Sequence, residues 1–444
     1  MAPVSMTSPR PGAGAAKVQH SDLALIGVVA VHAAAFVAFG LAVGPLDTLL
    51  PGLGAILTAR DTLITDYLGV GGLGPAFLNA GLLTLLACLC FLVTRARVSG
   101  ATLASLFLLL GFGLFGKNLL NCWPIVAGAL LYARLRGEPL GDHLTAAFFA
   151  CALAPVFSEV LFSTSLHWTQ SLPLALIIGL TVGFCLPPVA AQLFKVHQGF
   201  NLYNMGFAAG MLGTVLVALF VSFGLAPEPV IVWTGGNDVL LGTALALLFV
   251  GQILAGLVLD RRAFSGLKAI LGESGQSPSD FLARAGLGAV LVNMGLCGLM
   301  GLGYLLLIGG DLNGPTIAGI FTIVGFAAFG KHPRNIWPPM LGIWLASLLK
   351  PLDAMDPGFL LAALFGTTLA PIAGRFGWHW GIAAGFLHSS VALTSSVSHG
   401  GLNLYNNGFA AGMVAAVLVP VILAFQPGPV SGTAPAPGQG RSPD

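Results

Sequence analysis

The chain has 444 residues, 56% of them hydrophobic and 8% charged, with a formal net charge of +2. Soluble proteins carry roughly 25% charged residues, so this composition excludes an ordinary water-soluble domain. So small a positive excess also argues against a nucleic-acid partner.

Residues 1–19 are rich in Pro, Ala and Ser, carry Arg10 and Lys17, and read as a flexible tail. A bilayer core of about 30 Å needs about 20 apolar residues per helix. On that measure the first half predicts segments at 21–43, 72–94, 98–116, 121–135, 143–162, 172–194 and 206–224. The second half follows with 238–259, 286–308, 312–330, 336–349, 358–374, 377–395 and 405–425. No Asp, Glu, Lys or Arg occurs between Phe376 and Gly440, and residues 427–444 read as a second tail. Segments 121–135 and 336–349 are short for full spans, which points to broken or re-entrant helices.

The two halves match in sequence. Residues 64–128 align without a gap on 278–342, with 23 identities in 65 pairs. The densest stretches, GFGLFGKNLLNCWPIVAG (111–128) and GFAAFGKHPRNIWPPMLG (325–342), share the skeleton GFxxFGKxxxNxWPxxxG. A second block, HQGFNLYNMGFAAGM (197–211), matches HGGLNLYNNGFAAGM (399–413) at 12 of 15 positions. Apolar bias would match Leu, Ala and Gly, but not His, Asn, Tyr, Lys and Trp-Pro in one order. The chain divides into repeat 1 (20–227) and repeat 2 (228–426) between the two tails.

Lysine and arginine in short loops mark the cytoplasmic side. With the N-terminus cytoplasmic, that side holds Arg95, Arg97, Arg134, Arg136, Lys195, Arg261, Arg262, Lys268, Arg284, Lys331, Arg334 and Arg375, and the opposite side only Arg60, Lys117 and Lys350. Seven spans per half, or five if the short segments are half-helices, are both odd, and an odd count inverts the second copy. The expected fold class is therefore an all-α integral membrane protein. It has two inverted-topology repeats of five to seven transmembrane helices each, in the plasma membrane with both termini cytoplasmic.

Inverted repeats place matching motifs near a pseudo-two-fold axis, where transporters build substrate sites. The first motif puts Lys117, Asn121 and Trp123, and again Lys331, Asn335 and Trp337, around a chain break. A lysine there repels cations or holds an anion; alternatively it snorkels to the interface, with tryptophan as an anchor. The second motif supplies His197, Asn201, Tyr203 and Asn204, and again His399, Asn403, Tyr405 and Asn406. If its first part is helical, His197, Asn201 and Asn204 share one face, as do their counterparts. Buried asparagines are costly unless paired, so they either line a solute path or bond helix to helix. The GxxxG pairs that follow, Gly206/Gly210 and Gly408/Gly412, read as close-packing faces.

Glu159 and His388 are intramembrane ionisable groups, hence candidates for proton coupling, and neither has an ionisable counterpart in the other half on the offsets above. His32 reads as a structural histidine. The six cysteines (Cys88, Cys90, Cys122, Cys151, Cys185 and Cys297) lie in apolar segments without metal or CxxC spacing. No phosphate loop, HExxH or GxSxG is present, so no enzyme activity, cofactor or metal is expected.

The duplicated NLYNxGFAAGM with FGKxxxNxWP resembles a family of bacterial multi-pass membrane proteins known only as a domain of unknown function, DUF1576. The layout is similar to that of urea transporters, with two inverted five-helix halves around a narrow pore, although the motifs lining that pore are not matched. The reading that follows is a transporter or channel for a small polar solute, neutral or anionic, passing between the two repeats. The alternatives are a proton- or sodium-coupled secondary transporter, and a membrane-embedded enzyme or scaffold. The partners expected are the lipid bilayer and the solute, with assembly as a homo-oligomer left open.

Overall fold

A computed structural model describes residues 20–163, 166–351 and 353–425; the two expected tails, with Arg10 and Lys17, lie outside them. The described residues are mostly helical, because backbone removed from water must satisfy its hydrogen bonds within each segment. The first half forms α1 (His20–Val43), α2 (Leu46–Leu57), α3 (Tyr67–Val70), α4 (Leu73–Thr94), α5 (Gly100–Phe112), α6 (Trp123–Leu135), α7 (Leu140–Ala150), α8 (Ala154–Phe162), α9 (Trp168–His197) and α10 (Asn204–Ser222). The second half forms α11 (Asp238–Leu259), α12 (Ala263–Ile270), α13 (Phe281–Leu307), α14 (Gly314–Phe326), α15 (Pro333–Leu349), α16 (Pro357–Gly366), α17 (Ala370–Phe376), α18 (Trp378–Ser395) and α19 (Asn406–Phe425). Two short strands, β1 (Ile64–Thr65) and β2 (Ile231–Val232), pair in parallel and tie the two halves together.

Among the described residues, nine helical stretches are long and apolar enough to cross a membrane, with α7–α8 and α16–α17 each counting as one. The tenth long helix, α18, has 18 residues and is diluted by histidine and serine. Each half therefore has five long helical stretches. Between them sits a broken pair, α5–α6 in the first half and α14–α15 in the second. At 13 residues each, α5 and α6 rise only about 20 Å.

The breaks follow from local chemistry. Gly116 takes a φ of +75°, which only glycine adopts at little cost. The carbonyls that a helix end leaves without partners are met by asparagine. Asn79 donates to Gly113 O (2.7 Å) and Lys117 O (3.0 Å); Asn293 donates to Ala327 O and Lys331 O, both at 2.8 Å.

Equivalent helices of the two halves pack on each other. A Cβ added at Gly111 would sit 2.8 Å from Ala318, and one at Gly325 would sit 2.9 Å from Phe107 and 3.0 Å from Ala104 O. Phe107 stacks on its own counterpart Phe321 at 6.2 Å. Rising numbers on α5 thus meet falling numbers on α14, so the two run antiparallel. Their N-termini exchange caps: Gly100 N donates to Asp280 (3.1 Å) and Gly314 N to Asp66 (3.1 Å). The start of α10 meets the start of α19 where Gly206 and Gly408 face each other. Within each half, Gly128 and Gly183 bring α6 against α9, as Gly342 and Gly385 bring α15 against α18.

Candidate functional site

Motif residues of one half are completed by the other. Lys117 and Lys331 are fully buried. Lys117 donates to the hydroxyl of Tyr405 and Lys331 to that of Tyr203. The lysine of each first motif therefore meets the tyrosine of the opposite second motif. Each ammonium also lies over aromatic faces. Lys117 Nζ is 4.5 Å from the Tyr405 ring and 5.0 Å from Phe112; Lys331 Nζ is 4.5 Å from Tyr203 and 5.4 Å from Phe326. Cation–π attraction grows with desolvation, which suits an ammonium held in a dry site. Among the described residues no carboxylate lies within ion-pairing reach of either lysine.

The asparagines bond mainly to protein. Asn201 donates to Gly408 O (2.9 Å) and Asn403 to Gly206 O (3.2 Å), clamping α19 to one half and α10 to the other. His197 pairs with Asn204 (2.8 Å) and His399 with Asn406 (2.9 Å). Asn204 then donates to Ala190 O and Asn406 to Ala392 O. Asn121 and Asn335 each close the break by donating to Gly116 O (3.1 Å) and Gly330 O (2.9 Å).

One expectation is corrected. The stretch from His197 to Asn204 is no helix: α9 ends at His197, Gln198 and Gly199 take φ of +51° and +80°, and α10 begins at Asn204. Gly400 and Gly401 make the equivalent break in the second half. His197 and Asn204 meet because the chain turns between them.

A cavity of about 320 Å³ lies between the halves. Its inner wall comes in matched pairs: Phe112 with Phe326, Leu202 with Leu404, and Tyr203 with Tyr405. Asn201 and Asn204 also border it, whereas the lysines stand behind the tyrosines. Its outer end passes Ala101, Thr145 and Ser277 to the exposed Asp142.

The family model described as protein of unknown function (DUF1576) matches residues 46–222 and 259–424, one region in each repeat. The chain belongs to the DUF1576 family. No curated protein and no solved structure matches it, so the expected likeness to urea transporters is not shown.

The remaining predicted positions of this DUF1576 member lie away from the cavity wall. Trp123 is half-buried and donates to Leu119 O (3.0 Å) at the start of α6. Trp337 is on the outer surface, stacked on Trp378 at 6.3 Å. His388 is buried against Asn407 (3.0 Å).

Glu159 is ion-paired with Arg60 at 3.1 Å, and it does have a charged counterpart. Leu404 N donates to Ala152 O and Leu202 N to Thr368 O, which makes 152 equivalent to 368 and sets Arg375 opposite Glu159. The register shifts by two residues between the motif blocks, so the constant offset hid this pairing. The same shift places Thr367, which accepts from Lys331 at 2.7 Å, opposite Cys151.

Sequence reasoning also missed Asp61. It is buried in the loop after α2 and accepts from Tyr67, Asn118, Asn121 and Ser158. Its four partners come from three separate parts of the chain, and of them only Asn121 belongs to a repeated motif.

Proposed function

We propose that this protein is a membrane transporter for a small solute, neutral or anionic, acting by transport rather than by catalysis. Its two copies sit in opposite orientations in the plasma membrane, with both termini cytoplasmic. The reading rests on the cavity between the copies, whose two ends differ in exposure among the described residues. Ala101, Thr145 and Ala146 line its outer end, while their counterparts Pro315, Leu361 and Ala362 are buried. Two equivalent halves with an unequal opening fit one state of a carrier, whose other state exchanges the roles of the halves. Equivalent helices running antiparallel support opposite insertion, as does the lysine and arginine bias of the loops.

Two buried lysines without carboxylates, when protonated, favour an anion and repel a cation. They act through the tyrosine hydroxyls that they hold at the cavity wall. Phe149, Phe194 and Phe329 make the rest of the lining largely apolar, which suits a solute with one apolar face.

The test is stopped-flow light scattering on proteoliposomes challenged in turn with gradients of formate, acetamide, urea and glycerol. Entry faster than in protein-free vesicles, led by formate and lost in the Lys117→Met/Lys331→Met double variant, is the expected result. No acceleration for any of the four, with folded protein, overturns the small-solute reading.

A further inference from the structure

The centre of the molecule repeats its polar contacts in both halves, so a buried polar group present in one half only stands out. Asp61 is such a group. Its carboxylate accepts from Tyr67 Oη (2.8 Å), Ser158 Oγ (2.8 Å), Asn121 Nδ2 (3.0 Å) and Asn118 Nδ2 (3.4 Å). All four donors are neutral, and the adjacent Arg60 turns away to Glu159. In the second half the positions of Asp61, Tyr67, Asn118 and Ser158 hold Gly275, Phe281, His332 and Gly374. The repeat frame alone does not require a carboxyl there.

Asp61 lies outside every membrane-length helix. Burial without a counter-ion raises its pKa from the ordinary 3.8 to about 7, against the lowering effect of the hydrogen bonds from Ser158, Tyr67 and Asn121. The other ionisable groups packed around it are Tyr67, which burial pushes further up, the Cys122 thiol, and the Arg60–Glu159 pair.

Asp61 lines neither cavity, but its neighbours in the chain and its hydrogen-bond partners lead towards both. On one side Ser158 precedes Glu159, which lines a second cavity of about 360 Å³ with Arg60 and Glu228. On the other, Asn121 donates both to Asp61 and to Gly116 O. A Cβ at Gly116 would meet Leu404 at 2.4 Å, and the next residue, Lys117, holds Tyr405. Leu404 and Tyr405 are walls of the central cavity.

We propose that Asp61 is a proton-binding site, reached from the Arg60–Glu159 cavity, whose occupancy is relayed through Asn121 and the Gly116–Lys117 turn to the central cavity, making this a proton-coupled transporter. The proposal rests on the transport reading above. A proton on Asp61 Oδ2 turns an acceptor of three bonds into a donor. One of the bonds from Asn118, Asn121 and Ser158 must then reverse or break; the relay requires that it be the one from Asn121, whose amide also holds the Gly116 carbonyl.

Two readouts on the purified full-length protein in lipid nanodiscs test it, and neither needs a solute. Infrared difference spectroscopy across the neutral range follows the protonated carboxyl. The wild type should show one titrating near pH 7, which Glu159→Gln retains and Asp61→Asn loses. Maleimide labelling of Asp142→Cys, with the six native cysteines replaced, then follows the outer end of the cavity. Its rate should change several-fold through the same midpoint, and become independent of pH with Asp61→Asn.

Absence of the titrating carboxyl overturns the site, and a labelling rate flat with pH in the presence of Asp61 overturns the relay. If Asp61→Asn does not fold, Ser158→Ala takes its place. Loss of one donor to the ionised form should raise both midpoints by about one pH unit, and unmoved midpoints refute the assignment. Vesicles that take up no solute while Asp61 still titrates would overturn the transport reading and the coupling built on it, and leave the proton site standing.

Discussion

The two halves of this membrane protein agree where they touch and differ where they face away. At the junction, each lysine meets the other half's tyrosine, each asparagine of the NLYN block meets the other half's glycine carbonyl, and each N-terminal glycine of α5 and α14 meets the other half's aspartate. Behind it the first half buries Asp61 among four neutral donors, where the second half has Gly275. A contact between copies constrains both at once, because a change in either must fit the same neighbour. A residue facing only its own half is free of that constraint, and such positions are where duplicated copies acquire separate roles.

The junction is the place where breaking the likeness should cost most. A Cβ at Gly206 would lie 2.7 Å from Tyr405 O, and one at Gly408 would lie 2.8 Å from Tyr203 O. Backbone atoms cannot step aside as a side-chain tip can. Gly206→Leu and Gly408→Leu should each destabilise by about 3 kcal/mol, the upper end of ordinary overpacking, and by similar amounts. Thermal unfolding in detergent measures both; a large inequality between them would mean that the junction is less symmetric than its contacts.

The hydroxyls give a smaller effect with a built-in difference. Tyr405→Phe removes the side-chain hydrogen bond of Lys117, while Tyr203→Phe leaves Lys331 with Thr367. Leaving a buried donor unpaired costs about 1–3 kcal/mol, and more where it is charged. Tyr405→Phe should therefore lower the melting temperature more than Tyr203→Phe, and Thr367→Val combined with Tyr203→Phe should remove the difference.

These asymmetries show what was legible in the sequence. Lys, Asn, Trp-Pro and His recurring in order in an apolar chain exposed the repeat, since chance does not arrange polar residues there. The helical breaks were legible at Gly116 and Trp123-Pro124, where glycine and proline carry their own backbone rules. The turn at Gln198–Gly199 was not, because glutamine with φ of +51° has no sequence signature. The equivalence of positions 159 and 375, glutamate in one half and arginine in the other, was hidden by a two-residue insertion between motif blocks. Asp61 was hidden for a different reason: its partners at 67, 118, 121 and 158 become neighbours only after four elements pack.

Stability against pH should separate the halves next. The folded protein holds the Asp61 proton up to about pH 7, against 3.8 for an ordinary aspartate. Folded Asp61 thus binds its proton more tightly than the unfolded chain does. Its contribution is fully present below about pH 4 and is lost as pH rises through 7. Melting temperatures taken across this window should fall with rising pH in the wild type, and Asp61→Asn should flatten that slope. Introducing an aspartate at the counterpart, Gly275→Asp, should not recreate it. Gly275 has a φ of +76° and a Cβ there would lie 2.0 Å from Gly330 O, so that variant should lose stability at every pH.

The smallest effect belongs to the ion pair at the mouth of the second cavity. Arg60 is one-third exposed while Glu159 is nearly buried, and they meet at 3.1 Å. Solvent screens the arginine end, so the pair belongs near the weak range of about 0–1 kcal/mol. Glu159→Gln keeps the shape and one acceptor, and should shift the melting temperature little. Added salt should weaken the wild-type pair and leave the variant unchanged. The carboxyl titration of Asp61 should survive in this variant, because Ser158 and the asparagines still surround it. A Glu159→Gln protein that lost the Asp61 titration would instead make the two carboxyls a single unit, and the mouth of the second cavity would then share in whatever Asp61 does.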